Sequence, residues 1–599
     1  MSPPSITAAD EGIRAPARPA AAAAFWTRLR LLVRVDEIWL AVFAGAAGAG
    51  AGAGVAAMNH ITRYLHHLFF NLPVGQGLSA SPSVGTLRLL AVPVLGGVVL
   101  GLAGLLAVKF RPKGIVDPVE ANALYGGRMS LIDSVIVAAQ TVWSNGIGGS
   151  IGLEAGYAQL GAGLASWSGL HLRLRRSDLR LLVGCGAAAA IAGAFSAPLC
   201  GVFYGVELII ANYSLATLPF IIIAALTGTL VTDLLNAGSA PLQVVLPQTV
   251  PLPAYPLAIL VGIAAGFAAI AIMRGVTSIE AGFRRSRLPA WLRPAAGGLL
   301  LGPLGLLSPA TLGSGHSALH MDIGLELPLF TALILFLGKA VASAISIGSG
   351  FRGGLFFASL FLGSLFGKLF ADVVMLVPGL PVMPAGFYAV VGMSAMAVAI
   401  VGGPMTMTFL ALESTGQFSI TICVLAAAIA ASMTVKRVFG YSFSTWRFHL
   451  RGTPIRSGAD IGRFASLTVG RLMRRSDLRF VHRTSPEVLR REVQPGEAQR
   501  LVVLDDEEKY TGIVFPSELH APGMQEQELA AFLHHREHFL LPGMNIREAL
   551  AIFEAAEADS LAVLDGPGTR KVIGLLSEQY ALRRYSELLE RHRKENIGE

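Results

Sequence analysis

A single carboxylate interrupts a long apolar stretch of this chain. Glu154 is the only charged residue between Ser134 and Leu170, and it lies in the glycine-rich sequence NGIGGSIGLEAGYAQLGAG at 145–163. A charge in such a run is costly unless it faces a cavity, a partner or water. Glycines let the backbone leave the helix, and irregular backbone at membrane depth lines a cavity or is buried in protein. The pattern favours a residue on a permeation pathway; the alternative is a glutamate that reaches the membrane interface or bonds a neighbouring helix.

The composition is that of a membrane protein. Of the 599 residues, 53% are hydrophobic and 14% are charged, whereas soluble domains carry about 25% charged residues. Apolar runs near or beyond the ~18 residues of a spanning helix follow one another. Examples are Leu89–Val108, Leu181–Leu235, Leu257–Met273 and Phe387–Val435. We therefore predict an all-α polytopic membrane protein with a soluble tail.

The charges indicate an orientation and exclude one class of partner. The net charge is +8, and the basic residues lie in the tail and in short loops. Short basic loops favour the cytoplasmic side, so we expect both termini in the cytoplasm and the protein in the cell (inner) membrane. Residues 1–34 lack the apolar core of a signal peptide and are predicted to be a disordered leader. No basic stripe is interleaved with aromatic residues, which argues against nucleic acid.

The apolar region contains an internal repeat. Pro198 is followed nine residues later by Glu207, and Pro404 is followed at the same spacing by Glu413. A glycine-rich sequence precedes each pair, at 148–156 and at 348–356. Such interrupted segments at corresponding places are typical of inverted-repeat transporters, where helix N-termini point at the substrate. This arrangement suits an anion; the alternative is that the glycine runs are close-packing helix faces.

Other classes of function find less support. A divalent-cation channel needs several carboxylates converging on one ion, but Glu154, Glu207 and Glu413 are far apart and each lies among glycines and apolar residues. The three cysteines have no metal-ligand spacing. No nucleophile and base or phosphate-binding loop stands out. We expect no metal, no cofactor and no enzyme activity.

The soluble tail contains a duplication. Segments at about 467–520 and 540–585 share the order helix, strand (LVVLD, LAVLD), polar turn, strand (TGIVF, VIGLL) and helix. Asp505 and Asp565 end the equivalent strands. The pattern predicts two copies of one small α/β unit.

These motifs together resemble the CLC family of chloride channels and proton-coupled chloride antiporters. Gly152–Gly156 resembles the family pattern G-[KR]-E-G-P, Ala197–Gly201 its A-P-L-x-G segment and Gly353–Phe356 its G-G-x-F segment. The resemblance covers roughly residues 35–452, and the tail at 453–599 resembles a CBS-domain pair. It implies a homodimer in the lipid bilayer with one chloride pathway per subunit.

The resemblance also implies roles for individual residues. Glu154 falls at the family's gating glutamate, and the anion would be bound by residues from three segments: Lys113, Gly114, Gly354, Leu355, Phe356 and Ser444. Lys113 replaces a serine, and it either faces the anion path or stays in a solvated loop. Ser444 replaces a tyrosine and keeps a hydroxyl group. The basic residue that precedes the gate in the family is Leu153 here.

Two further departures concern protons and nucleotides. The family's internal proton relay aligns with Leu208, and its neighbour Glu207 is the candidate replacement. Leu208 favours a passive channel over a proton-coupled antiporter. In nucleotide-binding CBS pairs a Thr and an Asp hold the ribose, whereas this tail has Phe515 with Glu518 and Ser577 with Tyr580. We therefore expect a structural tail that binds no nucleotide.

Overall fold

A computed structural model describes most of the chain as two compact units. The described residues are 37–81, 84–110, 115–238, 246–247, 249–378, 383–450, 467–475, 479–482, 501–519 and 529–597. The predicted leader at 1–34, Lys113 and Gly114 lie outside them. The first unit holds the chain up to Pro118 and Gly127–Gly440, and the second holds Val119–Gly126 and the chain from Tyr441 onwards. The division at Tyr441 lies before the predicted domain boundary after residue 452.

The described part of the first unit is helical. Its helices are α1 (Glu37–Phe70), α2 (Thr86–Phe110), α4 (Leu131–Gly146), α5 (Glu154–His171), α6 (Arg176–Phe195), α7 (Pro198–Tyr204), α8 (Leu218–Leu234), α9 (Ala254–Arg285), α10 (Arg293–Leu307), α11 (His316–Asp322), α12 (Leu329–Ser349), α13 (Phe356–Met375), α14 (Ala385–Val401), α15 (Pro404–Thr415) and α16 (Phe418–Val438). The short helix α3 (Pro118–Leu124) starts at the unit boundary. Within the described ranges, seven helical segments are long and apolar enough to span a membrane.

Two of the predicted apolar runs are broken into three helices each. The run Leu181–Leu235 contains α6, α7 and α8, and the run Phe387–Val435 contains α14, α15 and α16. Proline is the first residue of both α7 and α15, because its fixed φ suits a first helical turn but not a helix interior. After Tyr204, α7 continues as a π-helical turn over Gly205–Ile210.

Within each half, two helices pack closely through glycines, and these glycines lie at corresponding places in the two halves. In α5 and α6, a Cβ added to Gly161 would lie 2.3 Å from the carbonyl oxygen of Gly186, and the converse distance is also 2.3 Å. In α13 and α14, Gly363 and Gly392 meet in the same reciprocal way, at 2.4 and 2.5 Å. Hydrogen at these positions allows the backbones to touch. Close helix packing is therefore a role of glycines that follow the two runs at 148–156 and 348–356 in the chain.

The second unit contains the soluble tail. Its described elements after α3 are α17 (Phe443–Leu450), α18 (Val469–Leu472), β1 (Arg479–His482), β2 (Leu501–Leu504), β3 (Tyr510–Val514), α19 (Pro516–Leu519), α20 (Ile546–Ala556), β4 (Ser560–Leu564), β5 (Val572–Ser577) and α21 (Glu578–Ile597). Strand β2 pairs with β1 in parallel and with β3 antiparallel, and β4 pairs with β5 antiparallel.

The two hairpins of the tail are built alike. Asp505 follows β2 and accepts a hydrogen bond from the Lys509 backbone at 2.8 Å, and Asp565 follows β4 and accepts one from the Lys571 backbone at 3.1 Å. The Thr569 hydroxyl also donates to Asp565 and lowers the pKa of that carboxyl group. Each hairpin has a register shift at its last strand residue. The two aspartates thus occupy equivalent turns, as the sequence predicts.

Candidate functional site

The two glycine-rich sequences meet at the centre of the first unit. The Gly152 N–H donates to the Gly354 carbonyl oxygen at 2.8 Å, and the Gly354 N–H donates to the Gly152 carbonyl oxygen at 3.2 Å. A Cβ on Gly353 would lie 2.8 Å from the Gly152 carbonyl oxygen. The breaks before α5 and α13 therefore form one small antiparallel bridge, which brings the two helix N-termini together.

Each break is held by a serine from the other half. The Ser150 N–H donates to the Ser346 hydroxyl oxygen of α12 at 2.9 Å, and the Arg352 N–H donates to the Ser144 hydroxyl oxygen of α4 at 3.1 Å. Like the two glycine bonds, these two bonds are reciprocal, because each joins a residue of one half to the corresponding part of the other half. The site is thus built around an approximate two-fold relation between the halves, whose bonds satisfy backbone groups that lost their helical partners.

The N-cap residues of α5 and α13 provide no side-chain cap of their own. The N-cap residues are Leu153 and Leu355, and neither accepts a hydrogen bond through its side chain. A helix N-terminus carries partial positive charge and backbone N–H groups that suit an anion. Of the predicted anion-binding residues, Phe356 is the first residue of α13, Leu355 is its N-cap and Gly354 directly precedes that cap. Their binding of an anion stays a prediction.

Glu154 is the first residue of α5, at the place that corresponds to Phe356 in the second half. Its side chain is 4% exposed, and its carboxyl group turns back over Gly152. A Cβ on Gly152 would lie 1.9 Å from the Glu154 Oε2 atom, so only glycine leaves room for this position. Oε2 is buried without a hydrogen-bond partner among the described residues. An unpartnered carboxylate oxygen is costly when buried, which is a reason for the group to take up a proton or to move.

Glu154 lines a cavity of about 70 Å³ in the first unit. The polar side chains of its lining come from four parts of the unit: Asn59, Thr62, Arg63, His66, Asn145, Glu154, Tyr157, Ser314, His316 and Ser317. Phe195, Phe357 and Leu153 supply apolar wall. The Phe195 and Phe357 rings stack at 5.5 Å, and His316 lies 4.5 Å from Phe357. The cavity therefore places Glu154 beside polar groups that no sequence motif indicates.

Glu413 of the repeat caps a helix of the other half. Its carboxylate accepts hydrogen bonds from the backbone N–H groups of Leu199 and Cys200, both at 2.8 Å. These residues form the first turn of α7. A carboxylate at an N-terminus satisfies its free N–H groups and complements its positive charge.

Glu207 caps a helix of the second half in the same way. It accepts hydrogen bonds from the backbone N–H groups of Met405 and Thr406, at 3.1 and 2.9 Å, in the first turn of α15. The hydroxyl groups of Thr406 and Tyr213 also donate to it, at 2.7 and 2.9 Å. The N-termini of α7 and α15 are thus occupied by glutamates of the opposite halves, whereas the first turn of α13 faces Glu154, whose carboxyl group accepts a hydrogen bond from the Phe357 backbone. A proton-relay role for Glu207 stays a prediction.

The reciprocal caps predict a matched loss of stability. Glu207→Gln and Glu413→Gln each replace a charged acceptor by an amide whose NH₂ group faces backbone N–H donors. We expect each to lower the free energy of unfolding by about 1–3 kcal/mol, the range for hydrogen bonds to a charged group. Thermal unfolding of the purified protein in detergent measures the loss, with exposed Glu326→Gln as the control. A Glu207→Gln protein as stable as the wild type would contradict the capping role.

Ser444 belongs to α17 in the second unit. Its side chain is exposed there, whereas Tyr441 stacks on His449 with ring centroids 4.8 Å apart. Anion binding by Ser444, and by Lys113 and Gly114 outside the described residues, stays a prediction. Sequence motifs do not indicate Arg63, His66 and His316, which come from parts of the chain without a motif. Ser144 and Ser346 were not predicted either, although their equivalent places in the repeat are a usable signal.

A helical unit of two related halves, with broken helices meeting at a buried carboxylate, defines a membrane transport protein. Residues 95–436 match the family described as "Voltage gated chloride channel". The chain is 31% identical over 414 residues to the voltage-gated ClC-type chloride channel ClcB of Shigella flexneri, which covers 67% of this chain and 95% of that protein. It is 31% identical over 353 residues to a putative chloride channel protein, ClcB-like, of Ralstonia nicotianae, covering 58% and 82%. The chain belongs to this family.

Solved structures confirm the fold. A slow cyanobacterial Cl−/H+ antiporter matches with a TM-score of 0.58 at 22% identity, over 70% of this chain and 98% of that one. A eukaryotic CLC transporter matches with a TM-score of 0.59 at 18% identity, over 92% and 98%. The predicted CLC-type fold and multi-pass membrane protein are therefore confirmed.

Proposed function

We propose that the chain conducts chloride or a similar small anion through the first unit, with Glu154 as the gate. The observation that carries the proposal is the Gly152–Gly354 bridge, at 2.8 and 3.2 Å, which joins two helix N-termini beside a buried carboxylate. Backbone N–H groups there would replace part of the hydration shell of the anion, as in other filters. The ClcB relatives, named as chloride channels, support chloride as the anion.

The gate works by competition for one site. Glu154 begins α5, so its carboxylate lies against the same positive helix ends that attract an anion. When ionised, it occupies the site and repels the anion. Protonation or a swing of the side chain into the cavity frees the site. This couples pH to conduction without moving a proton for each anion.

We propose the passive channel as the mode of transport. Leu208 at the family's relay position cannot carry a proton. Glu207 is the alternative relay, and it would make the protein a proton-coupled antiporter. Its carboxylate already holds the N-terminus of α15 through backbone bonds of 3.1 and 2.9 Å. Giving a proton to this group would weaken the cap, which supports a structural role.

A divalent-cation channel is disfavoured by the same geometry. Glu207 and Glu413 are each bonded to a helix N-terminus, so their oxygens are engaged by N–H donors. Among the described residues no cluster of three or more His, Cys, Asp or Glu side chains could hold a metal ion.

The assembly and the tail complete the proposal. We propose a homodimer in the cell (inner) membrane with cytoplasmic termini. Residues 453–599 act as a structural CBS-like pair. The likeness to the eukaryotic transporter covers 92% of the chain, more than residues up to 452 could supply, and this supports a tail that shares the fold of part of that transporter.

Two contacts in the tail argue against a nucleotide at the family's ribose positions. Glu518 pairs with His534 at 2.6 Å, and the ring of Tyr580 lies under Arg474, whose guanidinium carbon is 5.2 Å from the ring centroid. Both side chains are therefore engaged with protein groups.

The test of the anion assignment is a flux measurement in liposomes. We expect a chloride gradient to drive current, and a potassium gradient with only an impermeant anion to drive none, because the site binds anions through N–H groups. Protein-free liposomes are the control. A current that depends on the cation under those conditions would reject the assignment and favour the divalent-cation alternative.

A further inference from the structure

The cavity over Glu154 lacks a basic residue at the position where the family resemblance implies one. That residue directly precedes the gate, and here it is Leu153, which is 7% exposed and packs into the apolar core. An anion that approaches the gate must lose part of its hydration shell beside apolar residues, where the dielectric constant is low. Without a nearby cation this step is unfavourable. The cavity therefore needs positive charge from elsewhere.

Arg63 brings a permanent positive charge to the cavity. It lies on α1, seven residues before the helix ends at Phe70, and lines the same cavity as Leu153 and Glu154. Arg63 is half-buried, and among the described residues it makes no hydrogen bond or ion pair. A guanidinium group presents five N–H donors in a planar fork, which suits an anion.

The side chains near Arg63 on the same face of α1 form hydrogen bonds with protein groups. Asn59 donates to the Ala237 carbonyl oxygen at 3.1 Å, and Thr62 donates to the Met58 carbonyl oxygen at 2.8 Å. The His66 Nε2 atom lies 3.1 Å from the Asn145 carbonyl oxygen, while its Nδ1 atom accepts from the Leu78 N–H at 3.4 Å. His66 is therefore a neutral imidazole with both nitrogens engaged. Of these four side chains on α1, Arg63 is therefore the one that carries a positive charge.

The other titratable side chains that line the cavity are Tyr157, His316 and Glu154. Tyr157 donates its hydroxyl hydrogen to Asn59. His316 packs on Phe357 at 4.5 Å and on His320 at 4.8 Å, measured between ring centroids. Glu154 is the acid of the cavity. Among the described residues, the lining thus contains one guanidinium group and one carboxyl group together with neutral polar groups.

We propose that this cavity is an anion-binding station and that Arg63 is its cation. The station rests on the proposed function, because it serves the pathway that Glu154 gates. It takes a small monovalent anion on the side of the membrane where α1 ends. A volume of about 70 Å³ holds one such ion with one or two waters, since a water in the liquid occupies about 30 Å³. Arg63 in this way replaces the charge that Leu153 does not supply.

The first test compares charge-changing variants in planar bilayers. Arg63→Gln is expected to lower the chloride current from the α1-end side about fivefold to tenfold at low ionic strength. The difference shrinks at high ionic strength, because a partly exposed charge is screened. Arg63→Lys keeps more than half of the current. Arg88→Gln removes an exposed arginine near the start of α2, on the same membrane side but outside the cavity, and leaves the current unchanged.

A second test restores the charge in one folded protein. The native cysteines Cys185, Cys200 and Cys423 are all buried, so the thiol of Arg63→Cys is the accessible one among the described residues. A cationic methanethiosulfonate reagent should raise the current of this variant, and an anionic one should lower it further. Crystals grown in bromide should show an anomalous peak in the cavity of the wild type and none in Arg63→Gln.

The outcomes separate the two proposals. A wild-type protein that passes no anion overturns the proposed function itself. A wild type that passes chloride, with Arg63→Gln unchanged at low ionic strength and the two thiol reagents equivalent, overturns the anion station alone. Failure of Arg63→Gln to fold leaves the thiol experiment and Arg63→Lys to decide.

Discussion

Replacing Glu154 with glutamine is expected to raise the chloride current at pH 7 by roughly tenfold and to flatten its dependence on pH. Glutamine has the shape of the protonated side chain, so it removes the charge that competes with the anion. Like charges about 4 Å apart repel by roughly 4 kcal/mol at an effective ε of 20, of which a tenfold change in current uses about a third. Chloride flux from liposomes between pH 4.5 and 8 measures both effects.

The control is a carboxylate that does not line the cavity. Glu326→Gln removes an exposed charge after α11 and should keep both the wild-type current and its pH profile. Since the amide at position 154 cannot titrate, any pH dependence left in Glu154→Gln must come from other groups. A Glu154→Gln protein with the wild-type pH profile would show that Glu154 is not the gate.

The sequence predicted the broken helices because the residues that break a helix are chemically distinct. Pro198 and Pro404 begin helices as expected, and the glycines around Glu154 mark the break before α5. The sequence alone could not predict which structural role each glycine has. Gly152 makes room for the Glu154 carboxyl group, whereas Gly161 allows the close contact of α5 with α6. Both are glycine in an apolar run, and only the chain path separates these roles.

The repeated glutamates illustrate a second limit. The spacing from proline to glutamate predicted that Glu207 and Glu413 are equivalent, and their reciprocal bonds to helix N-termini agree with that. Each bond joins residues about 200 positions apart in the chain, so no local pattern indicates that the partner is the other half's helix. The sequence offered Glu207 as a candidate proton relay and gave Glu413 no role, whereas in the structure both carboxylates cap helix N-termini.

Arg63 was missed for a related reason. It lies on α1, which precedes the repeat, and no motif surrounds it. The absence of a basic residue at Leu153 was readable in the sequence. The replacement could not be found without the geometry that places α1 beside the N-terminus of α5. A missing charge therefore predicts that a substitute exists, but its position depends on packing.

The passive-channel mode predicts a reversal potential that follows the chloride gradient alone. A tenfold chloride ratio should shift it by about 59 mV, the value for one charge, and a tenfold proton ratio should shift it by nearly nothing. The physical reason is that proton transport needs a group that takes up and releases a proton within the membrane. Leu208 cannot do this, and the Glu207 carboxylate is held by four hydrogen bonds.

The conductance and the reversal potential must be measured together, because pH acts on the gate in either mode. In a passive channel, acid changes the size of the current through Glu154 and leaves the potential of zero current in place. In an antiporter, the proton gradient moves that potential. A shift with the proton gradient would therefore reject the channel mode, and Glu207→Gln would be the next variant. Loss of its proton flux with retained chloride flux would make Glu207 both cap and relay. Loss of stability with an unchanged reversal potential would leave it a cap, and the relay would have to be sought elsewhere.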